Sequence, residues 1–220
     1  MALVTTAPGP HHGQPILAAG EPLDQAGAAM VMVHGRGASA SDILTIAAEA
    51  AQPGFVYLAP QAAANAWYPN RFMEPIDSNE PWLTSALATL EGCLTLLGQS
   101  GFAPEKIIML GFSQGACLMT EFIARHARRY GGVVGFSGGL IGPEGTPRDY
   151  PGLLAGTPVF LGCSDVDPHV PKERVQETAG VFQQLGGQVT MRLYPGMGHT
   201  VNEDELAHLR QMMQALLSGS

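Results

Sequence analysis

Ser113 is the side chain best placed to act as a nucleophile. It stands in Gly111-Phe112-Ser113-Gln114-Gly115, after the apolar run Ile107-Ile108-Met109-Leu110 and ahead of a helix-like pattern. A serine on a tight strand-to-helix turn is held in strained backbone with its oxygen exposed. The flanking glycines let strand and helix pass close together. A serine hydroxyl is a poor nucleophile at neutral pH. It needs a base, normally a histidine, and a carboxylate to orient that base. The chemistry on offer is acyl transfer through a serine ester.

The Gly-x-Ser-x-Gly pattern occurs twice, the second time as Gly135-Phe136-Ser137-Gly138-Gly139. The residues downstream separate the copies. After Ser113, Leu118, Met119, Phe122 and Ile123 repeat at helical spacing. After Ser137 comes Leu140-Ile141-Gly142-Pro143-Glu144-Gly145-Thr146-Pro147, which cannot be a helix. An elbow needs both elements, so Ser113 is the expected nucleophile and Ser137 a strand-end serine among loop glycines.

On a scaffold of this kind the carboxylate and then the histidine come after the serine in the chain. His169, His199 and His208 come late enough. His208 lies inside the final helix pattern and reads as a surface residue. His199 ends Tyr194-Pro195-Gly196-Met197-Gly198-His199, a loop directly after the last strand-like run, and is the expected base. Two aspartates, Asp165 and Asp167, compete for the carboxylate just past the run 158–161. The one not used is expected to hydrogen-bond the loop.

A tetrahedral intermediate also needs backbone N–H donors. One is expected from Gln114, directly after the serine. The other is expected from the loop His34-Gly35-Arg36-Gly37, through the backbone of Arg36 with Gly37 beside it. Residues 60–81 show little regular pattern and carry Trp67, Tyr68, Arg71, Phe72 and Met73. The aromatics and Met73 are candidate walls of an acyl or aryl pocket; pinning the loop to the body carries equal weight. Arg71 is either a contact for a substrate carboxylate or an exposed loop residue.

The elements that must position these groups are legible as alternating runs. Strands are predicted at 29–34, 55–59, 106–110, 132–136, 158–161 and 188–194. Most are continuous apolar runs, as for parallel strands covered on both faces. Residues 188–194 alternate and belong nearer an edge. Helices are predicted from Ser41 onward (capped at Ser39 or Ser41), at 79–97 with Leu83, Leu87, Leu90, Leu94 and Leu97 on one face, after Ser113, at 171–185 and at 202–217. The β-α-β-α order predicts a doubly wound, mostly parallel sheet with helices on both faces, as a single domain over 1–220.

The bulk composition excludes several classes. The 220 residues are 45% hydrophobic and 14% charged, with net charge −8. That suits one full core and lacks the basic face that nucleic acid requires. No apolar run approaches the ~18–20 residues of a membrane span, and residues 1–10 lack the pattern of a secretory signal. The three cysteines, Cys93, Cys117 and Cys163, have no metal or redox spacing. Cys93 and Cys117 fall in apolar helix patterns and read as buried thiols. A cytoplasmic location without metal is expected. A homodimer is compatible with the sequence, though no residue requires it.

With these residues assembled, the chain resembles the phospholipase/carboxylesterase family of α/β-hydrolases, from about Met30 to the C-terminus. The resemblance rests on His34-Gly35-Arg36-Gly37, Gly111-Phe112-Ser113-Gln114-Gly115, Asp167-Pro168-His169-Val170-Pro171 and Tyr194-Pro195-Gly196-Met197-Gly198-His199. It implies ester or thioester hydrolysis of a small-molecule substrate without a cofactor. The family's Asp-x-x-Val-Pro falls on Asp167, which makes Asp167 the preferred carboxylate. Its Gly-x-x-Asp falls on Asp165, which stays the alternative, because two extra residues separate these anchors here. The segment around Trp67 to Phe72 resembles a bacterial subgroup more than the eukaryotic thioesterases, and no lid helix of the lipase kind is visible. Small or medium acyl esters are the expected substrates. Lysophospholipid or acyl-thioester hydrolysis and dienelactone-type lactone hydrolysis are the alternatives, with a non-catalytic ligand-binding relative last.

Overall fold

The computed structural model describes residues 3–219; Met1 and Ala2, the start of the segment read for a secretory signal, and Ser220 lie outside it. The strands are β1 (Ile16–Gly20), β2 (Ala28–Val33), β3 (Phe55–Pro60), β4 (Ile107–Phe112), β5 (Gly132–Phe136), β6 (Pro158–Ser164) and β7 (Gln188–Tyr194). The helices are α1 (Ala40–Glu49), α2 (Trp82–Gln99), α3 (Gln114–Arg125), α4 (Lys172–Gln184) and α5 (Glu203–Ser218). One seven-stranded sheet runs in the order β1-β3-β2-β4-β5-β6-β7. Only β1 is antiparallel, against β3.

Every residue of β2 and β3 is buried, because both faces of the sheet are covered. Val31, Val33 and Met109 pack with Leu83, Leu90, Phe122 and Phe182 of α2, α3 and α4. Met30, Met32 and Ile108 point the other way, onto Ile43 and Ala47 of α1 and Leu209 and Met213 of α5. The doubly wound fold is therefore as expected. β7 lies at the sheet's edge, and its exposure alternates along the strand.

Three differences from the sequence reading have local causes. β1 is an addition to the expected strands: it is five residues long, alanine-rich and mostly exposed, so its pattern is weak. α2 starts at Trp82 rather than 79, because Ile76–Asn79 coil into a 3-10 turn ahead of Pro81. β4 and β6 run two and three residues past their apolar cores, carried by pairing with β5 and β7. Of the two caps expected for α1, Ser39 is the one used, and α5 has a cap of its own. Ser39 closes a capping box with Asp42, and Asn202 closes one with Glu205.

Strand order reverses between β2 and β4. α1 leaves β2 toward one face, and α2 returns to β4 across the other. Such a switch point opens a crevice at the carboxyl ends of the strands. The loop after β2 and the turn after β4 meet there.

Candidate active site

Ser113 joins β4 directly to α3, with φ 56° and ψ −123°. Left-handed backbone at a non-glycine residue costs on the order of 1–3 kcal/mol and persists only where its surroundings enforce it. The two motif glycines provide that enforcement. A Cβ on Gly115 would meet the Val33 carbonyl oxygen at 2.1 Å, and one on Gly111 would meet the Gly115 carbonyl oxygen at 2.5 Å. Ser113 N–H also donates to the carbonyl of Phe136 on β5 at 2.9 Å. Strand, turn and helix are pressed together so tightly that only glycine fits on either side of the serine.

His199 arrives from the loop after β7. Its Nε2 lies 2.8 Å from Ser113 Oγ and its Nδ1 2.7 Å from Asp167 Oδ2. The ionised carboxylate can only accept, so Nδ1 carries the proton and Nε2 is free to accept the serine proton. The Asp167 side chain is fully shielded from solvent. Burial by itself would raise its carboxyl. The His199 hydrogen bond and the N–H groups of His169 and Val170 outweigh burial and hold it below the usual range. Those N–H groups reach Asp167 Oδ1 at 2.8 and 3.0 Å. Asp165 does not meet His199. Its carboxylate accepts the Gly196 N–H at 2.8 Å and so pins the loop that carries the histidine. The ring of Phe112 packs 5.1 Å from that of His199 on one side, and His169 stands edge-on at 4.8 Å.

The loop after β2 passes beside the turn, where a Cβ on Gly35 would sit 3.3 Å from that of Ser113. Among the described residues, no protein acceptor takes the N–H of Arg36 or of Gln114. The Arg36 guanidinium donates to the carbonyls of Pro69 and Asn70. The Gln114 side chain clamps the long loop, accepting from Trp67 N–H at 2.9 Å and donating to Tyr68 C=O at 2.8 Å.

Two buried histidines finish that clamp. Ala62 N–H donates to His34 Nε2, so Nδ1 of His34 carries the proton and donates to Gly35 C=O. Ala63 N–H donates likewise to His11 Nδ1, and His11 Nε2–H reaches Trp67 C=O. Burial lowers both pKa values and keeps both rings neutral. His11 carries no sequence motif, and its role emerges only when the N-terminal segment packs on the loop.

A cavity of about 260 Å³ opens over Ser113. Arg36, Tyr68, Arg71, Phe72, Cys117, His169 and Val170 line it with Gln114 and His199. Three of the candidate site residues are not among them. Trp67 is wholly buried, and its indole N–H is spent on His34 C=O, so it pins the loop. Met73 packs on the core. Gly37 only makes the turn: its φ is 76°, and its N–H bonds Asn65 C=O. Three lining residues go beyond the sequence expectation. His169 and Val170 sit inside the motif quoted for Asp167. Cys117 is one helical turn beyond Ser113, a spacing that does place it on the same face. Burial pushes its thiol up to about 12, so it lines the cavity as a small uncharged group. His208, read as a surface residue, is half-buried and stacks 4.5 Å from Phe160.

A family model described as Phospholipase/Carboxylesterase matches residues 15–217. The chain belongs to that family. A solved family member from Dyadobacter fermentans DSM 18053 superposes with a TM-score of 0.89 at 39% identity, over 97% of this chain and 100% of that one. The SOBER1 structure from Arabidopsis thaliana covers 86% of this chain and 99% of its own, with TM-score 0.73 and 20% identity, a likeness of fold. Acyl-protein thioesterase 1 of Debaryomyces hansenii is 34% identical over 114 residues, 51% of this chain and 49% of that protein. The chain thus matches about half the length of this thioesterase relative. Among the described residues, no helix is long and apolar enough to cross a membrane.

Proposed function

We propose that the chain hydrolyses carboxylic esters of small or medium acyl chains through an acyl-enzyme on Ser113. The observation that carries the reading is the contact chain Ser113 Oγ to His199 Nε2, and His199 Nδ1 to Asp167 Oδ2, at 2.8 and 2.7 Å. His199 Nε2 takes the hydroxyl proton as Oγ attacks the ester carbonyl. Asp167 steadies the imidazolium that forms. The carbonyl oxygen becomes an oxyanion, received by the N–H groups of Gln114 and Arg36, each worth about 3 kcal/mol of transition-state stabilisation. His199 returns the proton to the leaving alcohol, whose bond to the acyl carbon breaks. A water, deprotonated by the same nitrogen, then releases the acid and restores Ser113.

The cavity volume supports the acyl range. At about 260 Å³ it falls below the ~300 Å³ where drug-sized sites begin. Buried Tyr68, Cys117 and Val170 are among the residues that line it. The test is kcat/KM across p-nitrophenyl esters from acetyl to palmitoyl. The expected maximum is at butyryl or shorter, and a maximum at palmitoyl contradicts the reading. Thioester hydrolysis is the second reading, favoured by the name of the Debaryomyces hansenii relative. It uses the same atoms and is separated by comparing butyryl thioester with butyryl ester. The three unpaired cysteines, all buried, support a cytoplasmic enzyme.

A further inference from the structure

We propose that the substrate carries a carboxylate, which docks on the Arg71 guanidinium at the mouth of the Ser113 cavity. The inference rests on the serine-hydrolase reading above and narrows its substrate class. Arg71 is exposed and lines the cavity. Among the described residues it is the one arginine whose guanidinium has no protein partner. Arg36 and Arg129 donate to carbonyls. Arg125, Arg128, Arg148, Arg174, Arg192 and Arg210 each meet a carboxylate. Glu74 borders the adjoining hollow with Arg36 and Arg71 but forms no ion pair with either.

The backbone under Arg71 is held firmly. Fully buried Asn79 accepts from Asn70 N–H at 2.8 Å and donates to Arg71 C=O, which also accepts the Glu74 N–H. A fixed anchor with an unused planar fork suits bidentate recognition of a carboxylate. The charge balance agrees. The cavity presents Arg36 and Arg71 with no carboxylate on its walls, in a chain of net charge −8.

The matched pair monoethyl succinate and ethyl butyrate tests this, with acid release followed in the pH-stat. The wild type is expected to prefer monoethyl succinate in kcat/KM by about 10- to 100-fold, the range of one charge-assisted hydrogen-bonded contact. In Arg71→Met that ratio falls to 1 or below, chiefly through KM, and Arg71→Lys recovers part of it. A second arm needs no turnover: succinate, but not butyramide, slows fluorophosphonate labelling of wild-type Ser113, and Arg71→Met loses the protection. A wild-type ratio at or below 1, a ratio kept in Arg71→Met, or no protection by succinate overturns the proposal. Labelling and ethyl butyrate turnover report separately on the serine-hydrolase reading, so its failure is recognised as such.

Discussion

The two Gly-x-Ser-x-Gly turns sit side by side on neighbouring parallel strands, with Gly111 opposite Gly135 and Phe112 opposite Phe136. Both serines have left-handed backbone, φ 56° at Ser113 and 50° at Ser137. Each N–H donates one strand further along the sheet, Ser113 to Phe136 C=O and Ser137 to Gly162 C=O. Motif, strain and register are therefore alike. The surroundings are not. Ser113 opens a helix, faces a cavity and meets His199. Ser137 is wholly buried, begins a long loop, and its Oγ has no hydrogen-bond partner, only the Cys163 thiol beside it. The pattern thus encodes a tight strand exit. A nucleophile requires in addition a helix behind the serine, open space in front and a base within reach.

The sharpest way to break this comparison is to delete each hydroxyl. Ser113→Ala is expected to lower kcat by 10⁴-fold or more, on the order seen when a triad serine is removed. Ser137→Ala is expected to leave kcat within about threefold, and to hold or raise stability by about 1 kcal/mol, because an unpaired buried hydroxyl is lost. Steady-state rates on p-nitrophenyl butyrate and a thermal melt check both. A large rate loss in Ser137→Ala ends the distinction.

The same contrast applies to the two aspartates. Asp167→Asn is expected to cost about 10⁴-fold in kcat, since the amide no longer holds the productive imidazole tautomer. Asp165→Asn keeps an oxygen that can accept the Gly196 N–H, so a loss of tenfold or less is expected. Single-turnover rates for the two variants measured together decide it, and a reversed order reassigns the carboxylate.

The closing glycines of the two motifs give a smaller, structural test. Alanine at Gly115 runs into the backbone oxygens of Val33 and His34 at 2.1 and 2.5 Å. Alanine at Gly139 first meets the Thr178 hydroxyl at 2.8 Å, a milder overlap and with a side chain rather than backbone. Gly115→Ala is expected to destabilise by about 3 kcal/mol, the upper part of the usual overpacking range, and Gly139→Ala by less. Urea denaturation checks the order.

Glu205 adds a pH test on the element behind His199. Burial pushes its carboxyl up to about 7, and the Asn202 N–H only partly opposes this. The folded state therefore favours the protonated acid. Its contribution is complete below the ordinary carboxylate range and is lost as pH rises through about 7. A shift from 4.5 to about 7 corresponds to about 3 kcal/mol at most. Glu205→Gln is expected to flatten stability over that window, while the wild type weakens. Parallel slopes in urea melts from pH 4 to 8 contradict this.

Much of the site is legible in the sequence because its signals are local. The turn at Ser113 is written as an apolar run, two glycines and a helical repeat within 20 residues. His199 comes directly after a strand and a glycine-rich loop. The carboxylate is harder, because Asp165 and Asp167 both lie just past β6 and differ only in which way a short loop turns. β1 escapes because an edge strand of five residues, one side open, needs little hydrophobic patterning. The cavity is the least legible part. Trp67 and Met73 carry the composition of a pocket wall, yet their places are set by long-range partners such as His34, which no local pattern reports. His11 and Asn79 hold the same loop, and their roles depend on which segments pack beside them.

The most direct test of the central claim is to locate the covalent adduct of a fluorophosphonate by peptide mass spectrometry. The account predicts one adduct, on Ser113, formed at least 100-fold more slowly in His199→Ala, within the range a general base supplies. An adduct on Ser137, or labelling of Ser113 that is indifferent to His199, would contradict it.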